Sequence, residues 1–172
     1  MNHIKIIEGD ITKAKVDAIV NAANPMMLGG GGVDGAIHQA AGPALLEACR
    51  KVTATNGIRC PFGSAKITSA GDLGAKYVIH AVGPIYRQEN NPDKVLEKTY
   101  QSVLTLAEEH RCESIAIPAI SCGAYGFPIE PASKIAVDIC AKYSEIKIHF
   151  YLLGQQIIEA WQHAVSQVGN NY

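Results

Sequence analysis

Apolar and polar positions along the chain fall into two alternating periods. Short β-rich runs lie at His3–Ile7, Val16–Val20, Ala65–Ser69, Tyr77–Val82, Ser114–Pro118 and Lys147–Leu152, and several are nearly continuous apolar segments that read as strands covered on both faces. Helical spacing fills Gly35–Lys51, Pro92–His110, Pro131–Tyr143 and Gln155–Gln167. In the second of these helices Val95, Leu96, Thr99, Val103, Leu106 and Ala107 share one face, while Lys94, Glu97, Lys98 and Glu108 lie mostly off it. Asp93, directly after Pro92, suits a first turn, where a negative charge meets the positive end of the helix dipole. Strands alternating with helices predict an α/β fold built around a largely parallel sheet. No repeat, low-complexity stretch or linker breaks the pattern, so one domain over residues 1–172 is expected, with Val168–Tyr172 ready to fray.

Composition narrows the function. The 172 residues are 48% hydrophobic and 18% charged, which excludes disorder. With 15 basic and 16 acidic side chains the net charge is -1, too balanced for a protein that coats a nucleic acid by neutralising many phosphates. A small anion held by backbone groups stays open. The start, MNHIKIIEGD, carries no signal-peptide pattern, and no apolar stretch approaches the roughly 18 residues of a membrane span. The cysteines Cys49, Cys60, Cys112, Cys122 and Cys140 are scattered, without a C-x-x-C pair, so neither a disulfide framework nor a zinc site is expected. The expected location is a reducing cytoplasm.

The most unusual segment runs from Asn21 to Gly42 and holds four consecutive glycines, Gly29 to Gly32. Such a run costs conformational entropy on folding. It is either a flexible surface turn or an anion cradle, in which glycine amides and the start of a helix near Asp34 or Gly35 converge on a phosphate. Gly30, Gly32 and Gly35 satisfy G-x-G-x-x-G, but NAANPMML separates them from the strand and no acidic residue lies between Glu47 and Asp72, against a dinucleotide-binding unit. A second glycine-rich loop, PAISCGAYGFP at Pro118–Pro128, follows the strand SIAIP. It should emerge at the carboxyl end of the sheet, where open α/β folds bind ligands. Two such loops predict one crevice with two walls, gripping a ligand with more than one phosphate.

GDIT (Gly9–Thr12), VDAIVNAAN (Val16–Asn24), LGGGGVDGAIHQAAG (Leu28–Gly42), AKYVIHAVGP (Ala75–Pro84) and IPAISCGAYGFP (Ile117–Pro128) occur in this order, and together they resemble the macrodomain family. The glycine run followed by VDGAIH resembles its MacroD-type class of ADP-ribosyl hydrolases. The resemblance implies a three-layer α/β/α sandwich with a mixed, largely parallel central sheet and an ADP-ribose cleft at its crest. It also implies a metal-independent hydrolase without a cofactor. Such an enzyme removes mono-ADP-ribose from ester-linked acidic side chains and deacetylates O-acetyl-ADP-ribose; a non-catalytic ADP-ribose reader is the alternative. The partners implied are ADP-ribose, its esters and mono-ADP-ribosylated proteins, with neither a membrane nor a nucleic-acid polymer.

Carried over by position, the resemblance gives Asp10 the adenine amino group, with Ile11 beside it, and Asn24 the distal ribose. Gly30, Gly31, Gly32 and Val33 line the diphosphate on one side; Ser121, Cys122, Gly123, Ala124 and Tyr125 line it on the other. Asp34 positions or activates water, and Tyr125 and Phe127 flank the distal ribose. An aspartate at a helix start also fits a plain N-cap. The chain departs from the family at Cys122, where threonine is usual, at Phe127, where tyrosine is common, and at Phe62 and Asp72–Leu73–Gly74. Leu153 stands where an aromatic often stacks on adenine. His80, in the apolar run YVIHAV, reads as a satisfied core histidine, His38 as helix packing, Trp161 as core, and Met26 and Met27 as cover for the loop. No Cys–His signature accompanies Cys122, so a thiolate nucleophile is not expected.

Overall fold

A computed structural model describes residues 2–169 of the chain. Its strands are β1 (Ile4–Glu8), β2 (Ala18–Ala22), β3 (Ala65–Ser69), β4 (Tyr77–Ala81), β5 (Ser114–Ile117) and β6 (Lys147–Leu152). Its helices are α1 (Gly32–Ala41), α2 (Pro43–Arg50), α3 (Pro92–Glu109), α4 (Ile129–Ala141) and α5 (Gln155–Gly169). The strands form one mixed sheet in the order β1-β6-β5-β2-β4-β3, parallel throughout except where β3 pairs antiparallel with β4. Among the described residues no helix is long and apolar enough to cross a membrane.

Period-two alternation sends side chains to both faces of the sheet, and each face has its own core. Ala18, Val20, Ile79, Ile115 and Phe150 pack beneath α3, α4 and α5. Ile19, Val78 and Ala116 pack beneath α1 and α2. The expected three layers are therefore present, with helices on both faces. Trp161 of α5 is fully buried and meets Phe150 edge-on at 5.9 Å, an arrangement worth about 0.5–1.5 kcal/mol beyond its area burial.

Most element boundaries lie within a residue or two of expectation, and three of the differences matter here. The helical pattern over Gly35–Lys51 is two helices, because Pro43 lacks the N–H that a continuous helix needs and disfavours helical backbone at the residue before it. Gly42 takes φ 77° there and ends α1 while its own N–H still donates to His38 O at 3.1 Å. Helix α4 begins two residues early and carries Pro131 in its first turn, where the missing N–H has no intrahelical partner to lose. Strand β2 covers Ala18–Ala22 rather than Val16–Val20. That shift places Asn21 inside the ladder, opposite His80 of β4. Both side chains point to the α1 and α2 face and are fully buried. Of the residues expected to fray, Val168 and Gly169 are helical, and Asn170 to Tyr172 lie outside the described residues.

Candidate functional site

The carboxyl ends of β1, β6, β5, β2 and β4 rise along one crest. Four inter-strand steps of about 4.8 Å make it about 19 Å long. Four of these strands hand on to segments singled out in the sequence: β1 to Asp10 and Ile11, β6 to Leu153, β5 to Ser121–Tyr125, β2 to Asn24 and the glycine run. Two hollows lie on this crest. One, of about 380 Å³, is lined by Asp10, Ile11, Cys122, Tyr151, Leu153 and Ile157 among others. The other, of about 290 Å³, is lined by Asn24, Gly30, Gly31, Asp34, Ser121, Ala124 and Tyr125 among others. They share Gly32, Val33, Ala119 and Gly123, so the two glycine-rich loops form the waist of a single two-ended cleft. A larger hollow of about 920 Å³ lies between α4 and α5 and includes no residue of these loops.

Neither end of the cleft is lined by a lysine or arginine. An anion at the waist would be met by backbone donors instead. Helix α1 starts there with Gly31 as its N-cap, so the first-turn N–H groups lack intrahelical acceptors and carry the positive end of the dipole. Across the waist, the N–H groups of Gly123 and Ala124 have no acceptor among the described residues. Ser121 holds a left-handed φ of 67°, a strain of order 1–3 kcal/mol for a non-glycine residue. Its hydroxyl donates to Pro84 O at 2.8 Å and its carbonyl accepts from Phe127 N at 2.9 Å, which pins the loop in that shape.

Asp34 is not a plain N-cap. It sits in the first turn of α1, is 5% exposed, and takes no backbone N–H. Its Oδ1 accepts from Asn21 Nδ2 at 2.8 Å. His38, one turn on, brings Nε2 to 3.4 Å from the same oxygen. At that distance the nitrogen still has no hydrogen-bond partner among the described residues, because its geometry is off line. Asp34 Oδ2 turns toward Gly30: a β-carbon at Gly30 would lie 3.0 Å from Oδ2 and 3.3 Å from Asn24 Nδ2. Glycine is needed here for close approach, and that approach brings Asn24 and Asp34 together. Asn24 also braces the loop, donating to Gly29 O at 3.1 Å and accepting from Met27 N at 3.2 Å.

The remaining expected residues divide. Tyr125 lines the Asp34 end of the cleft, and its hydroxyl pKa is raised, first by burial and then by the negative charge of Asp34. Asp10 lines the other end. Its Oδ1 accepts from both the amide and the hydroxyl of Thr12, at 2.9 and 2.8 Å, and these bonds hold its carboxyl below the usual range. Burial pushes the Cys122 thiol up to about 12, so it stays protonated at neutral pH. Phe127 is a correction. It is 2% exposed and packs edge-on against Tyr86 at 4.9 Å, supporting the loop from below instead of lining the cleft. Leu153, 68% exposed, lines the Asp10 end.

Sequence reasoning missed two partners. Phe62 places its ring 6.4 Å from Tyr125, and nothing in its local pattern announces that. Asn21 holds Asp34, and here a signal existed, since a polar residue in a buried strand needs a partner. The Asn21 amide points its donors at Asp34 and at His80 Nδ1, 3.2 Å away, while its Oδ1 is unpaired among the described residues. An unpaired buried acceptor costs about 1–3 kcal/mol. His80 is the satisfied core histidine expected from the sequence.

The Macro domain family model matches residues 20–136. A macro domain-containing protein of Vibrio parahaemolyticus is 57% identical over 169 residues, which cover 97% of this chain and 99% of that protein. An O-acetyl-ADP-ribose deacetylase of Enterobacter cloacae is 48% identical over 172 residues, covering 96% of this chain and 95% of that one. The structure of the Oceanobacillus iheyensis macrodomain with ADP superposes with a TM-score of 0.92 at 37% identity, covering 98% of this chain and 93% of that one.

Proposed function

The chain belongs to the Macro domain family, and from that premise we propose that it hydrolyses esters of ADP-ribose. Its substrates are O-acetyl-ADP-ribose and proteins carrying mono-ADP-ribose on acidic side chains. The observation that carries the reading is Asp34, a buried carboxylate held by Asn21 at one end of a cleft whose waist is lined by amides. The relative named O-acetyl-ADP-ribose deacetylase and the macrodomain solved with ADP support it from outside. Near-complete coverage of both curated relatives supports reading residues 1–172 as one macrodomain. The five cysteines, all unpaired, suit a reducing cytoplasm.

In this reading the diphosphate lies at the waist, between the start of α1 with Gly30, Gly31, Gly32 and Val33 on one side and Ser121, Cys122, Gly123 and Ala124 on the other. Amides and the helix dipole meet its charge, which is how a nearly neutral chain binds an anion. Adenine occupies the hollow of Asp10, Ile11 and Leu153; the distal ribose, with its ester, occupies the hollow of Asn24, Asp34 and Tyr125. Net hydrolysis gives the hydroxyl of water to the acid and its hydrogen to the ribose oxygen. Asp34 orients the water and takes its proton as the new bond forms, a role worth about 10²–10⁴-fold in rate. Asn24 and Tyr125 hold the ribose so that the ester faces that water. Incubation with a glutamate-mono-ADP-ribosylated protein tests the reading: free ADP-ribose is expected, and its absence from an active-site-competent, ADP-ribose-binding preparation overturns it.

A further inference from the structure

Behind Asp34 lies a hydrogen-bond chain that the chemistry above does not use. Asn21 and His80 are register partners on adjacent parallel strands, and Thr68 reaches the same histidine from the neighbouring strand β3. All three face α1 and α2. Donation runs outward from the Asn21 amide in two directions, to Asp34 on one side and through His80 to Thr68 on the other. Asn21 Nδ2, which carries hydrogens and no lone pair to offer, lies 2.8 Å from Asp34 Oδ1 and 3.2 Å from His80 Nδ1. His80 Nδ1 must therefore accept, which puts the single ring proton of the neutral imidazole on Nε2. Nε2 lies 2.9 Å from Thr68 Oγ1, which accepts that proton and donates its own to Ser69 O at 2.9 Å. The Cys49 sulfur is 3.6 Å from the same Nε2.

We infer that His80 is a positioning residue: acting through the Asn21 amide, it holds the Asp34 carboxylate in the orientation that ester hydrolysis requires. The inference rests on the proposed activity. With the opposite tautomer, or with both nitrogens protonated, an N–H at Nδ1 would face the amide hydrogens of Asn21. The amide would then turn over and present its oxygen to Asp34, two acceptors in contact. The accepting Nδ1 removes that alternative and fixes the amide as a donor. Burial, reinforced by His38, pulls the His80 pKa down to about 3, so the ring keeps this state throughout the neutral range. The orphaned Asn21 oxygen is in keeping with an amide oriented for its donors at the expense of stability.

The test has two independent arms. Nitrogen-15 NMR of the wild-type chain should find His80 Nδ1 unprotonated and Nε2 protonated from about pH 8 to about pH 5, the span over which an ordinary histidine titrates. Finding the proton on Nδ1 overturns the inference, whatever the enzyme does. The second arm compares His80→Leu with His80→Asn, two side chains of one shape, of which asparagine alone offers an oxygen where Nδ1 stood. His80→Leu should lose about tenfold or more in kcat on O-acetyl-ADP-ribose with ADP-ribose affinity held within about threefold, as expected when a reacting group is misplaced but binding is not. His80→Asn should recover most of that kcat. Equal kcat in the two variants, or a parallel loss of ADP-ribose affinity and kcat in His80→Leu, overturns it. If His80→Leu fails to fold, the NMR arm decides. A wild-type chain that hydrolyses nothing sinks the proposed activity and leaves the tautomer result standing.

Discussion

Replacing Asp34 by asparagine and by alanine separates what this carboxylate does for the fold from what it does for the reaction. Asp34 accepts a 2.8 Å bond from a buried amide, and a hydrogen bond to a charged group contributes about 1.5–3 kcal/mol. Asp34→Ala removes the acceptor and leaves an Asn21 N–H unpaired. For a chain of this size each kcal/mol shifts the melting temperature by about 2–4 °C, so Asp34→Ala should melt about 3–12 °C lower than wild type. Asp34→Asn keeps a carbonyl oxygen for Asn21, and a neutral bond is about half as strong as a charge-assisted one; its melting point should fall by about half as much. Turnover should not follow that order. Both variants lack the carboxylate to which the proposed mechanism gives the proton of water, and on that mechanism both should lose about 10²-fold or more in kcat. ADP-ribose binding should persist in both, because the waist amides belong to the backbone. Scanning calorimetry, titration calorimetry and a chromatographic assay of O-acetyl-ADP-ribose give the three readouts. Wild-type turnover in Asp34→Asn would refute the assignment of Asp34 as base, however stable the variant.

Three further outcomes follow from the cleft and the buried core behind it. Asp10→Asn keeps an oxygen for Thr12 but can place a donor where the proposed pose brings the adenine amino group; on that pose, losing a charged acceptor worth about 1.5–3 kcal/mol should weaken ADP-ribose by at least about tenfold in titration calorimetry, and an unchanged Kd removes Asp10 from the site. Cys122→Ser should retain ester hydrolysis, since a thiol with its pKa near 12 supplies almost no thiolate; complete loss of turnover with binding intact would revive a covalent route. His80 should make the fold acid-sensitive. The unfolded imidazole titrates near 6.5 and the buried one near 3, so between those values the unfolded chain binds more protons and stability drops as pH falls. From about pH 7 to about pH 5 this amounts to about 2 kcal/mol. Urea titrations should show His80→Asn less acid-sensitive by that amount, and an equal loss in the variant contradicts the burial argument.

The layers of the fold were legible because two periods, one of strands and one of helices, alternate cleanly along the chain. The cleft was legible because glycine runs follow two strands. What stayed hidden was a matter of register. Reading β2 as ending at Val20 left Asn21 in the loop, and only the ladder places it opposite His80 and beneath Asp34. Phe127 shows the opposite failure: an aromatic in a functional loop looks like a cleft wall, yet its neighbours Tyr86 and Ser121 draw it under the loop. Local sequence cannot say which way a loop side chain turns, since long-range packing decides it. The Gly42–Pro43 break, by contrast, was written in the sequence and lost to the apolar period that runs through it.

Hydrolysis of O-acetyl-ADP-ribose by the wild-type chain, with ADP-ribose affinity measured on the same preparation, tests the central claim most directly. ADP-ribose should bind more tightly than ADP or AMP, because the proposed pose brings the distal ribose to Asn24 and Tyr125. Acetate and ADP-ribose should then appear in equal amounts over repeated turnovers, at a rate unchanged by a chelator. Tight, ribose-dependent binding with no acetate released would contradict the account and leave the cleft a reader of ADP-ribose.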